Sequence, residues 1–172
     1  MNSGKSEPEV LAIKDAESEL PIPTAWRPVI CRVVDAFVRH DYQLNAVEPS
    51  LVPVSAKTAE HIKSYIQDYG AELVGLPEET WASSVCIWQG DRWDALIDLW
   101  SLSEGRSDLV LSLQVSEAQG GFEFVIYMVY VPEYIAATGC SSRTRSHRLP
   151  LRGAGCAPGS ANVMLIKEVL CH

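Results

Sequence analysis

From Trp81 to Pro132 apolar residues recur at nearly every second position, and this period of two constrains the fold more than any other feature of the chain. In Trp81–Gln89, Trp81, Val85 and Ile87 alternate with Ala82, Ser84, Cys86 and Trp88. Gly90-Asp91 follows as a two-residue turn signal, because glycine reaches positive φ without steric cost. Arg92–Leu102 then sets Trp93, Ala95, Ile97 and Leu99 against Asp94, Leu96, Asp98 and Trp100. After the polar loop 103–107, Leu109, Leu111, Leu113 and Val115 alternate with Asp108, Val110, Ser112, Gln114 and Ser116. Gln119-Gly120-Gly121 turns the chain into its most apolar run, Phe122–Val131, where Phe122, Phe124, Ile126, Met128 and Tyr130 are expected to share a face. Short turns between consecutive strands require antiparallel hairpins rather than helical crossovers.

The preceding residues carry the other period. Trp26, Val29, Ile30, Val33, Val34, Phe37 and Val38 form an apolar stripe at helical spacing, with Pro28 in the first turn, where a missing N–H costs nothing. A second helix is expected from Ser55, a good N-cap, to Tyr69, with Ala59, Ile62, Ile66 and Tyr69 as its stripe and Gly70 as its terminator. Asn45–Pro53 reads as a loop and Ala71–Leu76 as a short strand. The resulting expectation is an α+β fold, with two N-terminal helices packed on a curved antiparallel meander sheet of four to five strands. Residues 1–20 are expected as a mobile N-terminal arm, 21–134 as a single α+β domain and 135–172 as a basic, largely disordered appendage.

Charge divides along the same boundary. The formal net charge is −8, but residues 1–134 hold 21 acids against nine Lys and Arg, whereas Glu168 is the lone acid against five bases in 135–172. An acidic body argues against nucleic acid, whose phosphates need clustered Arg and Lys, and equally against anionic lipid. No apolar run approaches the roughly 18 residues that span a bilayer, and the polar N-terminus lacks a secretory core, so a cytoplasmic setting is expected. Five scattered cysteines do not form a disulfide framework, and Cys31 and Cys86 are expected as buried thiols.

One set of residues carries a resemblance. Trp26-Arg-Pro-Val, Val34-Asp-Ala-Phe-Val-Arg-His-Asp-Tyr42, Glu79-Thr-Trp81, Trp93-Asp-Ala-Leu-Ile-Asp-Leu-Trp100 and Gly105-Arg-Ser-Asp-Leu-Val110 together resemble an uncharacterised bacterial domain-of-unknown-function family over about residues 21–133. That family implies boundaries and a bacterial cytoplasmic setting, but no activity. The tail is similar to the translated flanking DNA at the ends of mobile gene-cassette proteins. In element order alone, a leading helix and a meander are similar to the cone-shaped nuclear-transport-factor-2-like or cystatin-like architecture.

Candidate chemistry is sparse. Asp94 and Asp98 share a strand face with Asp91 nearby, but four strand residues span roughly 13 Å, too far for one cation without a third element. Solvated or edge-guarding carboxylates are the plain reading. His40-Asp41 follows the first helix and, in a pocket, is a candidate general base, although adjacent helical residues do not face each other. His61 lies off its helix stripe and is expected in solvent. Cys140, His147, Cys156, Cys171 and His172 match no paired zinc-ligand spacing. Arg143, Arg145, Arg148 and Arg152 read as solubilising charges. No phosphate loop, Gly-x-Ser-x-Gly, His-Glu-x-x-His or Cys-x-x-Cys is present, and no cofactor or metal is expected.

Four tryptophans, Trp81, Trp88, Trp93 and Trp100, crowd into twenty residues. Trp88 and Trp100 with Asp91, Asp94 and Asp98 are read as an aromatic and acidic partner-binding face suited to a basic protein. This favours a non-enzymatic binder, most concretely an immunity-type inhibitor of a basic toxin. The alternatives are a pocket protein or enzyme using His40 and Asp41, and a homodimer built through the open sheet face.

Overall fold

The structure, a computed structural model, describes residues 8–45 and 48–132. The expectations for the appendage, the tail arginines and the Cys140 to His172 metal set lie outside the described residues.

Helix α1 spans Arg27–Val38, after a tight turn at Thr24–Trp26, with Pro28 in its first turn. Its stripe buries Ile30, Val33, Val34, Ala36 and Phe37. The helix ends in a Schellman motif: His40 N–H donates to Phe37 O at 2.9 Å and Asp41 N–H to Ala36 O at 2.9 Å. The left-handed position of that motif, usually glycine, is His40, at φ 63°. Helix α2 spans Ala56–Tyr69. The Ser55 hydroxyl accepts from Thr58 N–H at 3.1 Å, and Gly70 closes the helix at φ 76°. Ala59, Ile62 and Ile66 are its buried stripe, as the spacing predicts.

The sheet has six strands: β1 (Leu20–Pro21), β2 (Leu73–Val74), β3 (Val85–Trp88), β4 (Trp93–Ser101), β5 (Gly105–Ala118) and β6 (Gly121–Tyr130). They run in the order β1-β3-β4-β5-β6, every pair is antiparallel, and β2 pairs with β4. The α+β class and the antiparallel meander of β3 to β6 are as the alternation predicts. The count exceeds the expected four to five strands because two-residue segments attach at the edges. The helices do not both stand at the N-terminus of the fold, since β1 precedes α1 and pairs with β3.

Two further expectations are corrected. Residues Glu78–Ala82, including Trp81, form a 3₁₀ turn, and the strand begins only at Val85. Pro77 starts that turn, and Ser83 and Ser84 N–H groups return to Thr80 O rather than to a neighbouring strand. In β6 the inward set is Phe122, Phe124, Ile126 and Val129, not Phe122, Phe124, Ile126, Met128 and Tyr130. Leu113 pairs with Ile126 but Ser112 pairs with Met128, so Tyr127 is the extra residue of a β-bulge. One inserted residue reverses which side chains face inward beyond it.

The core lies between the helices and one sheet face. Trp26 at the start of α1 meets Trp93, Phe122 and Phe124 edge-on, with ring centroids 5.5, 5.3 and 6.3 Å away. Ala95, Ile97, Leu99, Leu111, Leu113 and Val115 of β4 and β5 complete that face against α1 and α2. Residues 8–19, expected as a mobile arm, are tied to this body. Val10 N–H donates to Thr24 Oγ1 at 2.9 Å, Thr24 N–H to Val10 O at 3.0 Å, and Trp93 Nε1–H to Ile13 O at 2.9 Å.

Trp26 has no exposed surface. Trp26→Ala is therefore expected to cost about 3–5 kcal/mol in urea unfolding, by lost burial plus the cavity left behind. Gly70→Ala meets no atom within 4 Å of the added Cβ. Its cost should be that of the left-handed backbone alone, about 1–2 kcal/mol, with an unchanged urea m-value.

Candidate functional site

The helices cover one sheet face, and the other face brings together Asp94, Leu96, Asp98 and Trp100 of β4 with Val85 and Ile87 of β3 and Val110 of β5. Register places them there: Ile87 pairs with Asp94, Val85 with Leu96, and Asp98 with Val110. Ile87, Leu96 and Val110 are buried, yet they stand apart from the core beneath the helices. Arg106, opposite Trp100, belongs to the same face.

Trp88 does not. It pairs directly with Trp93, with ring centroids 4.4 Å apart, and so lies on the helix-covered side, away from Asp94 and Asp98. The cause is the turn. Gly90 at φ 101° allows a two-residue loop in which Gln89 N–H donates to Arg92 O at 2.7 Å, so the next residues outward, Trp88 and Trp93, share a face. Lys14 sits over both rings, its Nζ 5.1 Å from the Trp88 centroid and 5.8 Å from that of Trp93. Trp88 is thereby half-buried beneath the N-terminal segment.

The three carboxylates differ in kind. Asp91 is exposed in the turn. Asp94 is only 5 % exposed. Arg92 Nε lies 3.6 Å from Asp94 Oδ1, an ion pair longer than a hydrogen bond. Burial pushes the Asp94 carboxyl above the usual range, the Arg92 guanidinium pulls it back, and the Asp91 charge adds to the rise. Asp98 is half-buried and faces Arg106 Nη1 at 3.8 Å. Its backbone is held where β3 has ended and β2 has not begun: Ser84 Oγ accepts from Asp98 N–H at 3.1 Å, and Thr80 Oγ1–H donates to Asp98 O at 2.8 Å. Between the Asp98–Val110 and Trp100–Arg106 pairs β4 advances by two residues and β5 by four, so the register shift there is a bulge in β5. Trp100, half-buried, lies against Gly105, where an added Cβ would stand 3.5 Å from the indole.

The other candidate pair is split. The Asp41 carboxylate accepts from Leu44 N–H at 3.1 Å, and Leu44 is a buried residue at φ 55°. Asp41 is thus occupied in holding the loop. The His40 ring instead meets the Tyr42 hydroxyl at 3.1 Å from Nδ1, beside a cleft between the ends of α1 and α2. Sequence reasoning missed Tyr42 and Glu72 there, and Arg106 on the sheet face. The strand pairing that fixes the Arg106 position was readable only in part, from the Gly105 turn. His61 is exposed and stacks near Tyr65 at 4.8 Å.

Among the described residues no group of three or more His, Cys, Asp or Glu is placed to hold a metal ion. Cys31 and Cys86 are free thiols, and burial pushes Cys86 to about 11, which leaves it protonated and unreactive near neutrality. Cys31 is half-buried rather than fully buried.

The fold and this face define a small α+β domain with an antiparallel sheet closed by helices on one side. The chain belongs to a family described as a domain of unknown function, DUF7668, which matches residues 34–132. The match begins inside α1 and ends just after β6, within the span of the resemblance read from sequence. No curated protein and no solved structure matches the chain. The likeness to cone-shaped folds therefore rests on element order.

The buried Asp94 makes stability depend on pH in a defined direction. A carboxyl whose folded pKa is raised binds its proton more tightly in the folded than in the unfolded chain, so it disfavours folding at neutral pH and ceases to do so as pH falls through the raised value. Asp94→Asn should be more stable than wild type at neutral pH, and the difference should vanish in urea titrations run below the ordinary carboxylate range. An advantage that persists unchanged in acid would show that burial of the charge is not its source.

Proposed function

We propose that this protein is a non-enzymatic binding protein of a bacterial cytoplasm, an immunity-type inhibitor that covers a basic toxin with the outer face of its sheet. The observation that carries the reading is the composition of that face. Asp98 and Trp100, both half-buried, stand beside the buried apolar patch of Ile87, Leu96 and Val110, with Asp91 exposed at the adjoining turn. A half-exposed aromatic seated beside packed apolar side chains and bordered by carboxylates has the make-up of an interface anchor with a charged border. The surrounding body is acidic, and complementary charge speeds encounter with a basic partner more than it deepens final affinity. Arg92 and Arg106 partly balance Asp94 and Asp98, and so set register rather than net attraction.

Two observations agree with the setting. Cys31 and Cys86 are free thiols, as a reducing compartment favours. Among the described residues no helix is long and apolar enough to cross a membrane.

The roles of the face divide by burial. Asp98 and Trp100 would touch a partner, whereas Asp94 would act through Arg92 from beneath. The test is to express the products of the neighbouring genes with this chain and to measure binding to any basic toxin among them by calorimetry at low and moderate salt; the absence of such a partner would count against the reading. Trp100→Ala is expected to cost about 2 kcal/mol or more, as anchors at interfaces do. Asp98→Ala should slow association and flatten the salt dependence, while Lys63→Ala on α2, away from the face, should change neither. Binding that survives Trp100→Ala and Asp98→Ala undiminished would overturn the reading.

A further inference from the structure

The segment that precedes β1 lies on the helix-covered side of the sheet, and polar contacts rather than buried apolar ones attach it to the body. Residues 8–19 form no helix or strand, and none of them is buried. The two largest apolar side chains next to its contacts stand in solvent: Leu11 is 65 % exposed and Ile13 55 %. The smaller Val10 and Ala12 are the ones half-buried. A segment held down by the hydrophobic effect would do the reverse, so little of its attachment comes from burial.

Three hydrogen bonds and one ammonium hold it. Val10 and Thr24 share two of those bonds, and Ile13 O accepts the third from the Trp93 indole N–H. The Lys14 side chain reaches three adjacent strands at once. Its Nζ stands over Trp88 of β3 and Trp93 of β4, 5.1 and 5.8 Å from the ring centroids, and meets Glu117 Oε2 of β5 at 2.8 Å. Both partners of that ion pair are exposed, so it contributes little by itself. The two indole faces supply the larger share, because an ammonium over a tryptophan ring is attracted by the ring quadrupole. Against these few contacts stands the conformational entropy of the ordered residues 8–19, which puts the closed state near balance.

Beneath the segment the surface is aromatic. Trp93 keeps only 1 % of its surface in solvent with the segment in place, and Phe122 adjoins it at 6.0 Å between ring centroids. The chain is anchored separately where the segment ends: Leu20 pairs with Cys86 and Pro21 with Val85, so residues 8–19 can leave without breaking a strand pair. The Asp15 carboxylate accepts from Glu17 N–H at 2.9 Å, a local turn that the segment can keep whether docked or free.

We propose that residues 8–19 are a releasable strap latched by Lys14, an intramolecular cover for the Trp88 and Trp93 faces that opens when the ammonium is displaced or neutralised. The strap opens alone, with helices and sheet intact. The test is native-state hydrogen exchange on the full chain, followed by NMR at the Trp93 indole N–H and the Thr24 amide, which bond to the strap, with the Ile97 and Leu111 amides as core reference. In the wild type, protection at the two strap-bonded sites should be roughly a hundredfold below that of the core pair, and low urea should leave it unchanged, because local opening exposes little surface. Lys14→Gln should lower protection at the strap-bonded sites roughly tenfold further, by loss of the cation over the rings and of its ion pair. Lys14→Arg keeps the cation and should hold protection near the wild-type value. Glu117→Gln should have a smaller effect than Lys14→Gln. The proposal is overturned if the strap-bonded protons exchange only together with the core, if Lys14→Gln leaves their protection unchanged, or if Lys14→Arg lowers it as much as Lys14→Gln does.

Discussion

The edge-on contact between Trp26 and Trp93 is the joint on which the molecule depends. Trp26 begins α1 and Trp93 begins β4, so one aromatic pair fixes where the first helix meets the sheet. Phe122 and Phe124 of β6 close on the same indole from the edge strand of the sheet, and Trp88 meets Trp93 at a tilt from β3. Rings that meet edge to face gain something beyond buried area, about 0.5–1.5 kcal/mol per pair. The larger consequence is geometric. With α1 seated here beside β2, its stripe joins the inward side chains of β4 and β5 in one core, α2 packs on β6, and Ile13 O accepts from the Trp93 indole N–H to bring the N-terminal segment down over the rings.

Covering one sheet face so fully leaves the other to be managed by smaller devices. β3 is four residues long and β4 nine, so β4 outruns its partner. The backbone groups of Asp98, stranded beyond β3, are taken by Ser84 and Thr80 side chains, both buried polar residues with no other evident purpose. A buried backbone group without a partner would cost roughly 1–3 kcal/mol. Opposite this point β5 carries two extra residues between its pairings with Asp98 and Trp100, while β4 keeps its period, so Trp100 follows Asp98 on one face. Asp94, deeper and less well paired, is tolerated because Arg92 lies close enough to offset part of its desolvation.

Left-handed backbone recurs in the short connection after α1. His40 and Leu44, neither of them glycine, both take positive φ within five residues. The helix-closing bonds to Phe37 and Ala36 hold the first, and the Asp41 carboxylate holds the second through the Leu44 N–H. The result buries Leu44 and packs Tyr42 on Phe37 while leaving the imidazole at a cleft. A strained connection is thus built by the same residues that end the helix.

Local chemistry was legible in the amino-acid order. The stripe of α1, the Ser55 cap and Gly70 stop of α2, the turns at Gly90 and Gly120, and the alternation of β4 and β5 all follow from interactions within a few residues, which a sequence displays directly. What the sequence did not display were quantities set between segments. Tyr127 reversed the phase of β6 because its pairing with β5 slipped by one, and no residue in β6 announces a bulge. Trp88 fell on the covered face because a two-residue turn ties its phase to that of Trp93, a constraint present in Gly90-Asp91 but invisible when each strand is read alone. The site differs from its expectation for the same reason: alternation assigns a side chain to one of two faces, whereas only pairing across the sheet decides which face of one strand continues into which face of the next. Sequence alone therefore determined that this chain makes helices over an antiparallel meander, and tertiary structure alone decided that Asp94 is buried, that Trp88 parts from Asp98, and that His40 meets Tyr42, because each of those depends on where a distant backbone lies.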